Sequence, residues 1–457
     1  MGVFFLRKKT SYPRQKNLNL NLIILRMKNK YLVINKKGKI CEPGVYIASK
    51  ECSSDMKVLI RREVLGEQWE PEDKSDYIKI ANMLGFSWEE NSQIGFVNYN
   101  YKADLIKRLV EGYARNLVKD IGFPIYEVKG SNYFDLKHPV VKAYAGLFGD
   151  RLFKSDGMVM SYDASYPQFN LASKMSLKES DFPFAHFSIS DCYRNEQSGE
   201  CMLLYRNRRF FMPDIHPYFK DVKQAWKWYP KVEAQLKKSF KLAGRGYLNI
   251  AKISSEENWD EYKDEIGNLA IGNNKAILVD IKIGEEEKYW IVDIDYGVID
   301  KFEQFREIGC IQIDVGNARR LGIKYDSDKY SVIMHSAIPG GIERYIYMLV
   351  DNYENFPIDF RPVQLRIIPV SEKYVDFALS IVDANPDLRI DIDDRAESVS
   401  KRIKMAYKEG VGNLLIVGEK ELKDNSYLEV INEIRENLNI KVPFIPIGWP
   451  VLVSKRI

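Results

Sequence analysis

No apolar run in these 457 residues approaches the ~18 needed for a helix that crosses a bilayer. The basic opening, MGVFFLRKKTSYPRQKNLNLNLIILRMKNK, has LIIL as its longest apolar stretch, which excludes a signal peptide. Cysteine is sparse. The five, Cys41, Cys52, Cys192, Cys201 and Cys310, form no CxxC pair and are odd in number, so a secreted disulfide framework is excluded and a reducing, cytoplasmic setting is expected. An excess of one charge is also lacking. With 68 basic and 64 acidic residues the formal net charge is +4, so a polycationic coat for nucleic acid is excluded and any such partner must be met by local patches. Histidine is scarcer still, at four. No internal repeat is evident, which argues against a solenoid.

What is present is the composition of an ordinary globular chain, 45% hydrophobic and 29% charged, and its length allows two or three domains with separate cores. Residues 1–26 read as an unstructured upstream extension, with Met27 a more natural start than Met1. Residues 27–76 read as a small β-rich lead-in. There, YLVINKKGKICEPGVYIAS gives two short strand-like runs broken by KKGK and a Pro-Gly turn, before the charged EQWEPEDKSD. Next, KADLIKRLVEGYARNLVKDIGF sets Leu105, Leu109, Tyr113 and Leu117 at helical spacing, with Gly122 just past the end. In the middle, YWIVDIDYGVID and CIQIDVG follow one another with turn-sized gaps, which predicts an antiparallel sheet rather than repeated βαβ units. Beyond NYENFPIDFRP the order becomes strand, helix, strand, helix, strand, through QLRIIPVS, EKYVDFALSIVDA, LRIDIDD, SVSKRIKMAYKEG and NLLIVGEKE. That order predicts a small α/β domain with a parallel core. The expected fold class is α+β, with one domain over 77–355 and a second over 356–457.

Chemistry concentrates in DCYRNEQSGECMLLYRNRRFFMPDIH, Asp191 to His216. Arg194, Glu196, a Ser-Gly turn, the arginines at 206, 208 and 209, Phe210, Asp214 and His216 crowd into this segment. An arginine on a strand can bind a phosphate bidentately, and an aromatic ring beside it can stack a purine. A second cluster, HSAIPGGIERYIYML, pairs two glycines, which allow close backbone approach, with Arg344 at the start of a helix.

In this order the segments resemble motifs 2 and 3 of the class II aminoacyl-tRNA synthetases, and specifically their threonyl branch. REIGCIQIDVGNARRLGIKY resembles the strand before motif 3 in the archaeal threonyl enzymes. FRPVQLRIIPVSEKYVDFA, DIDDRAESVSKRIKMA and LLIVGEKE are similar to that family's anticodon-binding domain. The resemblance runs from about Tyr77 to the C-terminus. It implies an antiparallel-sheet catalytic domain over 77–355 and an α/β anticodon-binding domain over 356–457. The implied activity is joining threonine to tRNA(Thr), with ATP and Mg²⁺, in a homodimer. Arg194 would hold the ATP α-phosphate or the amino-acid carboxylate, and Glu196 would meet the adenine side or the tRNA end. Phe210 would stack on adenine, while Arg206 and Arg344 would bind phosphate. Asp214 would accept a hydrogen bond from the threonine hydroxyl, with Gln312 and Cys310 lining the same pocket. Arg402, Lys404 and Glu421 would meet the tRNA.

The resemblance also implies Zn²⁺, held in the family by one Cys and two His. His216 and His335 fall on the histidine positions, while Ser165 stands at the cysteine position, and Cys310 is a candidate replacement third ligand. Other departures are the Tyr162–Asp163 pair in place of a Leu-Arg-type run, Ser131 at the motif 1 proline, and no Arg-x-Arg strand after LIVGEKE. About 50 residues between Met27 and Tyr77 are fewer than an editing module would need, so a separate editing protein is expected to correct mischarging. A non-catalytic paralogue that binds tRNA or a ligand is the alternative reading. A class II enzyme for serine or proline is disfavoured by Asp214-x-His216 with His335.

Overall fold

Helix α1 (Tyr101–Lys119) starts where the Asn100 side chain accepts the backbone N–H groups of Lys102 and Ala103 at 2.9 and 3.2 Å. Its Leu105, Leu109, Tyr113 and Leu117 are all buried, and Gly122 takes a φ of +106° just beyond the end. The computed structural model describes residues 29–69, 75–284 and 288–456. The upstream extension at 1–26 and residues 70–74 of the charged stretch lie outside the described residues.

The chain divides into two compact units, and the larger spans Glu70–Leu248 and Ile294–Ile457. After α1 it carries β1 (Ile125–Glu127), α2 (Ser165–Ala172), β2 (Phe184–Tyr193), β3 (Arg209–Phe219) and α3 (Val222–Leu242). The end of β4 (Trp290–Ile299), β5 (Phe305–Asp314), β6 (Val332–Ala337) and α4 (Ile342–Asp351) follow. The strands lie in the order β4-β5-β6-β3-β2-β1. β5 with β6, β6 with β3 and β3 with β2 are antiparallel, and β1 joins parallel to β2. The expected antiparallel sheet is therefore the platform of this unit. Between β6 and α4, Gly340 has a φ of +126°, and a Cβ there would collide with the Ile308 carbonyl. The tight turn into α4 requires glycine.

The C-terminal part follows the expected alternation: β7 (Leu365–Pro369), α5 (Val375–Asp383), β8 (Ile390–Ile392), α6 (Val399–Lys408) and β9 (Leu414–Val417). The three strands are parallel in the order β8-β7-β9. Inside them Arg366 binds Asp391 through two 2.8 Å bonds. After β9 the chain enters two helices, Glu419–Asp424 and α7 (Tyr427–Glu436), where the family's Arg-x-Arg strand would be. The tail returns across α1. Asn116 donates to the Lys441 carbonyl at 3.1 Å, Lys441 pairs with Asp120 at 2.7 Å, and the Tyr101 and Trp449 rings lie 4.8 Å apart.

The smaller unit joins residues 29–69 to Asn249–Asp293, which corrects one expectation: the lead-in is not chiefly β. Strand Asn29–Ile34 is followed by a two-residue strand and then by helices at Pro43–Ile47 and Ser54–Leu59. Pro43 is no turn residue here. It occupies the first turn of a helix, where its missing N–H costs no hydrogen bond. The unit also holds one βαβ crossover: Leu248–Ile253 lies parallel to Ile277–Lys282, with helix Glu256–Asn273 between them in sequence. Strand Asn29–Ile34 pairs antiparallel along Ile277–Lys282.

Candidate active site

Side chains two apart on a strand share a face, which aligns Asp214 and His216 on β3. Helix α2 presents Ser165 and Gln168, three apart and hence neighbours on one side of the helix. The Asp163 carboxylate fixes the start of α2 by accepting the Ser165 and Tyr166 N–H groups at 3.0 and 3.4 Å, and it also accepts the Tyr144 hydroxyl at 2.9 Å. On β6, His335 stands opposite Gln312 of β5.

These elements bring Ser165, His216 and His335 together. His216 Nε2 lies 3.1 Å from Ser165 Oγ and 3.2 Å from His335 Nδ1. Each ring is held from outside. His216 Nδ1 is 2.8 Å from Gln168 Oε1, and His335 Nε2 is 2.8 Å from Asp314 Oδ2. Burial, then the His335 charge, push His216 well below the usual histidine range. Burial acts downward on His335 too, but the Asp314 hydrogen bond and charge outweigh it and raise that ring. Asp214 is buried, with Oδ2 3.6 Å from His216 Nε2. Burial first, then the neighbouring Asp163 charge, push its carboxyl up to about 7, against the opposing His335 and Arg194.

The cationic end of the pocket is built on β2, β3 and α4. The Arg194 guanidinium lies 5.0 Å from the Phe210 ring centre, and its Nε donates to the Tyr162 carbonyl at 3.1 Å. Burial, then the Arg344 charge, push Arg194 below the usual arginine range. Arg344 pairs with Glu307 at 3.3 Å and donates to the Tyr205 carbonyl at the same distance. Arg206 pairs with Glu196 at 3.1 Å and Glu200 at 3.4 Å. Arg208 is a scaffold residue: it donates twice to the Glu196 carbonyl, at 2.9 and 2.8 Å, and to Gln93 at 2.6 Å.

Three sequence expectations meet a different geometry. Among the described residues Cys310 does not complete a set of three His, Cys, Asp or Glu side chains with His216 and His335. Among the described residues no three His, Cys, Asp or Glu side chains are placed to hold a metal ion. Arg402 is only 5% exposed and donates to the Asp393 and Pro369 carbonyls at 2.6 and 2.8 Å, so it fastens α6 to the sheet rather than facing solvent. Glu421 accepts the Gly418 N–H at 2.9 Å and caps its own helix, whereas Lys404 is exposed. Sequence reading missed Asp314, Gln168, Glu307 and the Tyr99–Glu343 pair. Only Asp314 had a local sign: an Asp two residues before a Gly-Asn turn, where its side chain accepts the Gly316 and Asn317 N–H groups.

Comparison with known proteins identifies the family. The model of the tRNA synthetase class II core domain (G, H, P, S and T) matches residues 162–353, and that of the anticodon binding domain matches 364–441. A threonine–tRNA ligase from Nanoarchaeum equitans is 34% identical, over 93% of this chain and 74% of its own. One from Caldivirga maquilingensis is 35% identical with the same coverage. In fold the chain resembles the crystal structure of the RNA binding domain of threonyl-tRNA synthetase from Cryptosporidium parvum, with a TM-score of 0.70 at 17% identity, over 81% of this chain and 99% of that one. Two domain models in the order of the fold, and relatives this similar across most of both chains, place the chain in the threonine–tRNA ligase family of class II aminoacyl-tRNA synthetases.

Proposed function

We propose the following division of labour for the family's ATP-dependent reaction. Phe210 stacks on adenine, Arg194 takes the α-phosphate or the threonine carboxylate, and Arg344 with Arg206 takes the outer phosphates, Glu196 and Glu200 releasing Arg206 to do so. Asp214 accepts the threonine hydroxyl, and Gln312 lines the pocket. A threonine carboxylate oxygen attacks the α-phosphorus, the bond to the bridging oxygen breaks, and pyrophosphate leaves; Mg²⁺, when bound, would offset charge on the phosphates. The terminal ribose hydroxyl of tRNA then attacks the adenylate carbonyl and AMP departs. The protein contributes fixed positive charge where negative charge develops, together with alignment of the reacting groups. The observation that best supports this reading is the Arg194 guanidinium set 5.0 Å from the Phe210 ring centre and near enough to Arg344 to feel its charge, a setting that a nucleotide's ring and phosphates would suit.

The family's zinc does not fit these residues. Zinc in such a site takes three protein ligands, commonly with an anionic sulfur. Here the third group beside His216 and His335 is a neutral hydroxyl, and no other His, Cys, Asp or Glu among the described residues completes the set.

The domain after residue 356 binds the anticodon arm through the exposed face of α6, where Lys401, Lys404 and Lys408 follow at helical spacing. A homodimer forms along the β1 side, where Tyr126, Tyr133 and Leu147 are exposed. Serine carries threonine's hydroxyl and lacks only a methyl group, a difference a pocket resolves by roughly 1–3 kcal/mol, so a separate editing protein completes the fidelity. Charging of a tRNA(Thr) transcript tests the scheme. Threonine becomes acid-precipitable with the intact chain, and charging drops with Lys404→Ala and Lys408→Ala together. Unchanged charging in that double variant contradicts the proposed face.

A further inference from the structure

We infer that this pocket recognises the threonine hydroxyl by hydrogen bonds alone, with Ser165 as a specificity-determining residue rather than a metal ligand. The inference rests on the assignment of Asp214 and its neighbours as the amino-acid pocket.

The hydrogen-bond directions follow from the partners. Gln168 Nε2 donates to Ser188 Oγ at 2.8 Å and to the Asp214 carbonyl at 3.1 Å, which leaves its oxygen for His216 Nδ1. His216 is therefore protonated on Nδ1 and presents a lone pair at Nε2. Ser165 Oγ, 3.1 Å away, can donate to that lone pair, which His335 Nδ1 also approaches, at 3.2 Å. Zinc at this point would have to break that bond and gain only a weak neutral oxygen in return, since a serine hydroxyl binds metal well only after losing its proton.

The same arrangement suits a substrate hydroxyl. With its proton directed to His216, Ser165 Oγ offers a buried acceptor on the wall shared with Asp214, and His216 is 0% exposed behind it. His216 Nε2, 3.6 Å from Asp214 Oδ2, carries no proton in this tautomer and so donates nothing to that carboxylate. A threonine hydroxyl can donate its one proton to either of these two acceptors. Valine, of nearly the same shape, leaves buried acceptors without a partner, which is the condition for strong rejection by a polar pocket.

Metal content and threonine binding, both readable without turnover, test this on the full chain. The protein is saturated with zinc and then desalted, and its metal is counted. Threonine-induced rise in Tm is measured before and after treatment with 1,10-phenanthroline. The expected wild-type result is zinc well below one ion per chain and the same threonine response in both states. Ser165→Cys, which supplies a thiolate, should acquire about one zinc per chain. Ser165→Ala should lower the threonine-over-valine preference by about tenfold, the scale for one lost hydroxyl contact. Stoichiometric zinc in the wild type, loss of the threonine response with phenanthroline, or unchanged discrimination in Ser165→Ala overturns the inference. Inert ATP chemistry alongside an intact threonine response would count against the catalytic roles instead, so the two failures are distinguishable.

Discussion

The Tyr99 hydroxyl donates to Glu343 Oε1 at 2.6 Å, while the Phe211 backbone N–H donates to Oε2 at 3.0 Å. One carboxylate thus ties the approach to α1 and the strand that carries Phe210 to the first turn of α4. Burial pushes this carboxyl up to about 7, although the two donors work against the rise. A carboxyl raised in the fold favours folding at pH below its ordinary value and loses that contribution as pH climbs through 7. Glu343→Gln keeps an acceptor for Phe211, gives Tyr99 an amide donor in place of an acceptor, and never ionises. Its stability relative to wild type should therefore rise between pH 5 and pH 8 by on the order of 2–3 kcal/mol. Thermal melts at the two pH values check this, and a constant difference contradicts it.

Arg194 and Arg344 approach the nucleotide from different elements, so their losses should be felt separately. Either residue changed to Ala should cost on the order of 2–4 kcal/mol of transition-state stabilisation, the usual scale for removing a preorganised charge contact. Adenylate formation measured as kcat/KM reads this. Near-normal adenylate formation in either variant sinks its assignment.

Arg402 and Lys404 are two residues apart and should behave oppositely. Arg402→Ala leaves two buried carbonyls without donors and should destabilise the C-terminal domain by roughly 2–4 kcal/mol. Lys404→Ala should leave Tm unchanged and reduce the salt dependence of tRNA binding by about one phosphate contact. Equal effects of the two on stability contradict the packing described.

Asp314 holds the Gly316 and Asn317 N–H groups, the Asn317 side chain at 2.7 Å and His335. Asp314→Ala should cost roughly 3–5 kcal/mol, the range for removing one partner of a buried charged pair. Asp314→Asn, which keeps some of these bonds, should cost less. Urea unfolding of both variants checks the order.

Much of this was legible because it is local. Helix α1 declares itself by its apolar spacing and by Gly122, and the strand–helix alternation after residue 356 reads directly from period and turn residues. Ser165, His216 and His335 could be tied together only through resemblance, because nothing local joins residues 51 and 119 apart in the chain. The pairing of Asn29–Ile34 with Ile277–Lys282 was invisible for the same reason. Arg402 was misread because helical spacing alone does not tell a solvated arginine from one reaching inward to carbonyls. Pro43 was misread because a proline that opens a helix and one that makes a turn look alike until the next residues are placed.

The chain is a threonine–tRNA ligase by family, activating threonine with ATP and transferring it to tRNA(Thr), and none of the comparisons favours the non-catalytic alternative. Amino-acid-dependent ATP–pyrophosphate exchange by the intact chain tests this most directly, across threonine, serine, valine and proline. Exchange is predicted to be strongest with threonine, weaker with serine and near background with valine and proline. Exchange with none of the four, or strongest with proline, would contradict the account.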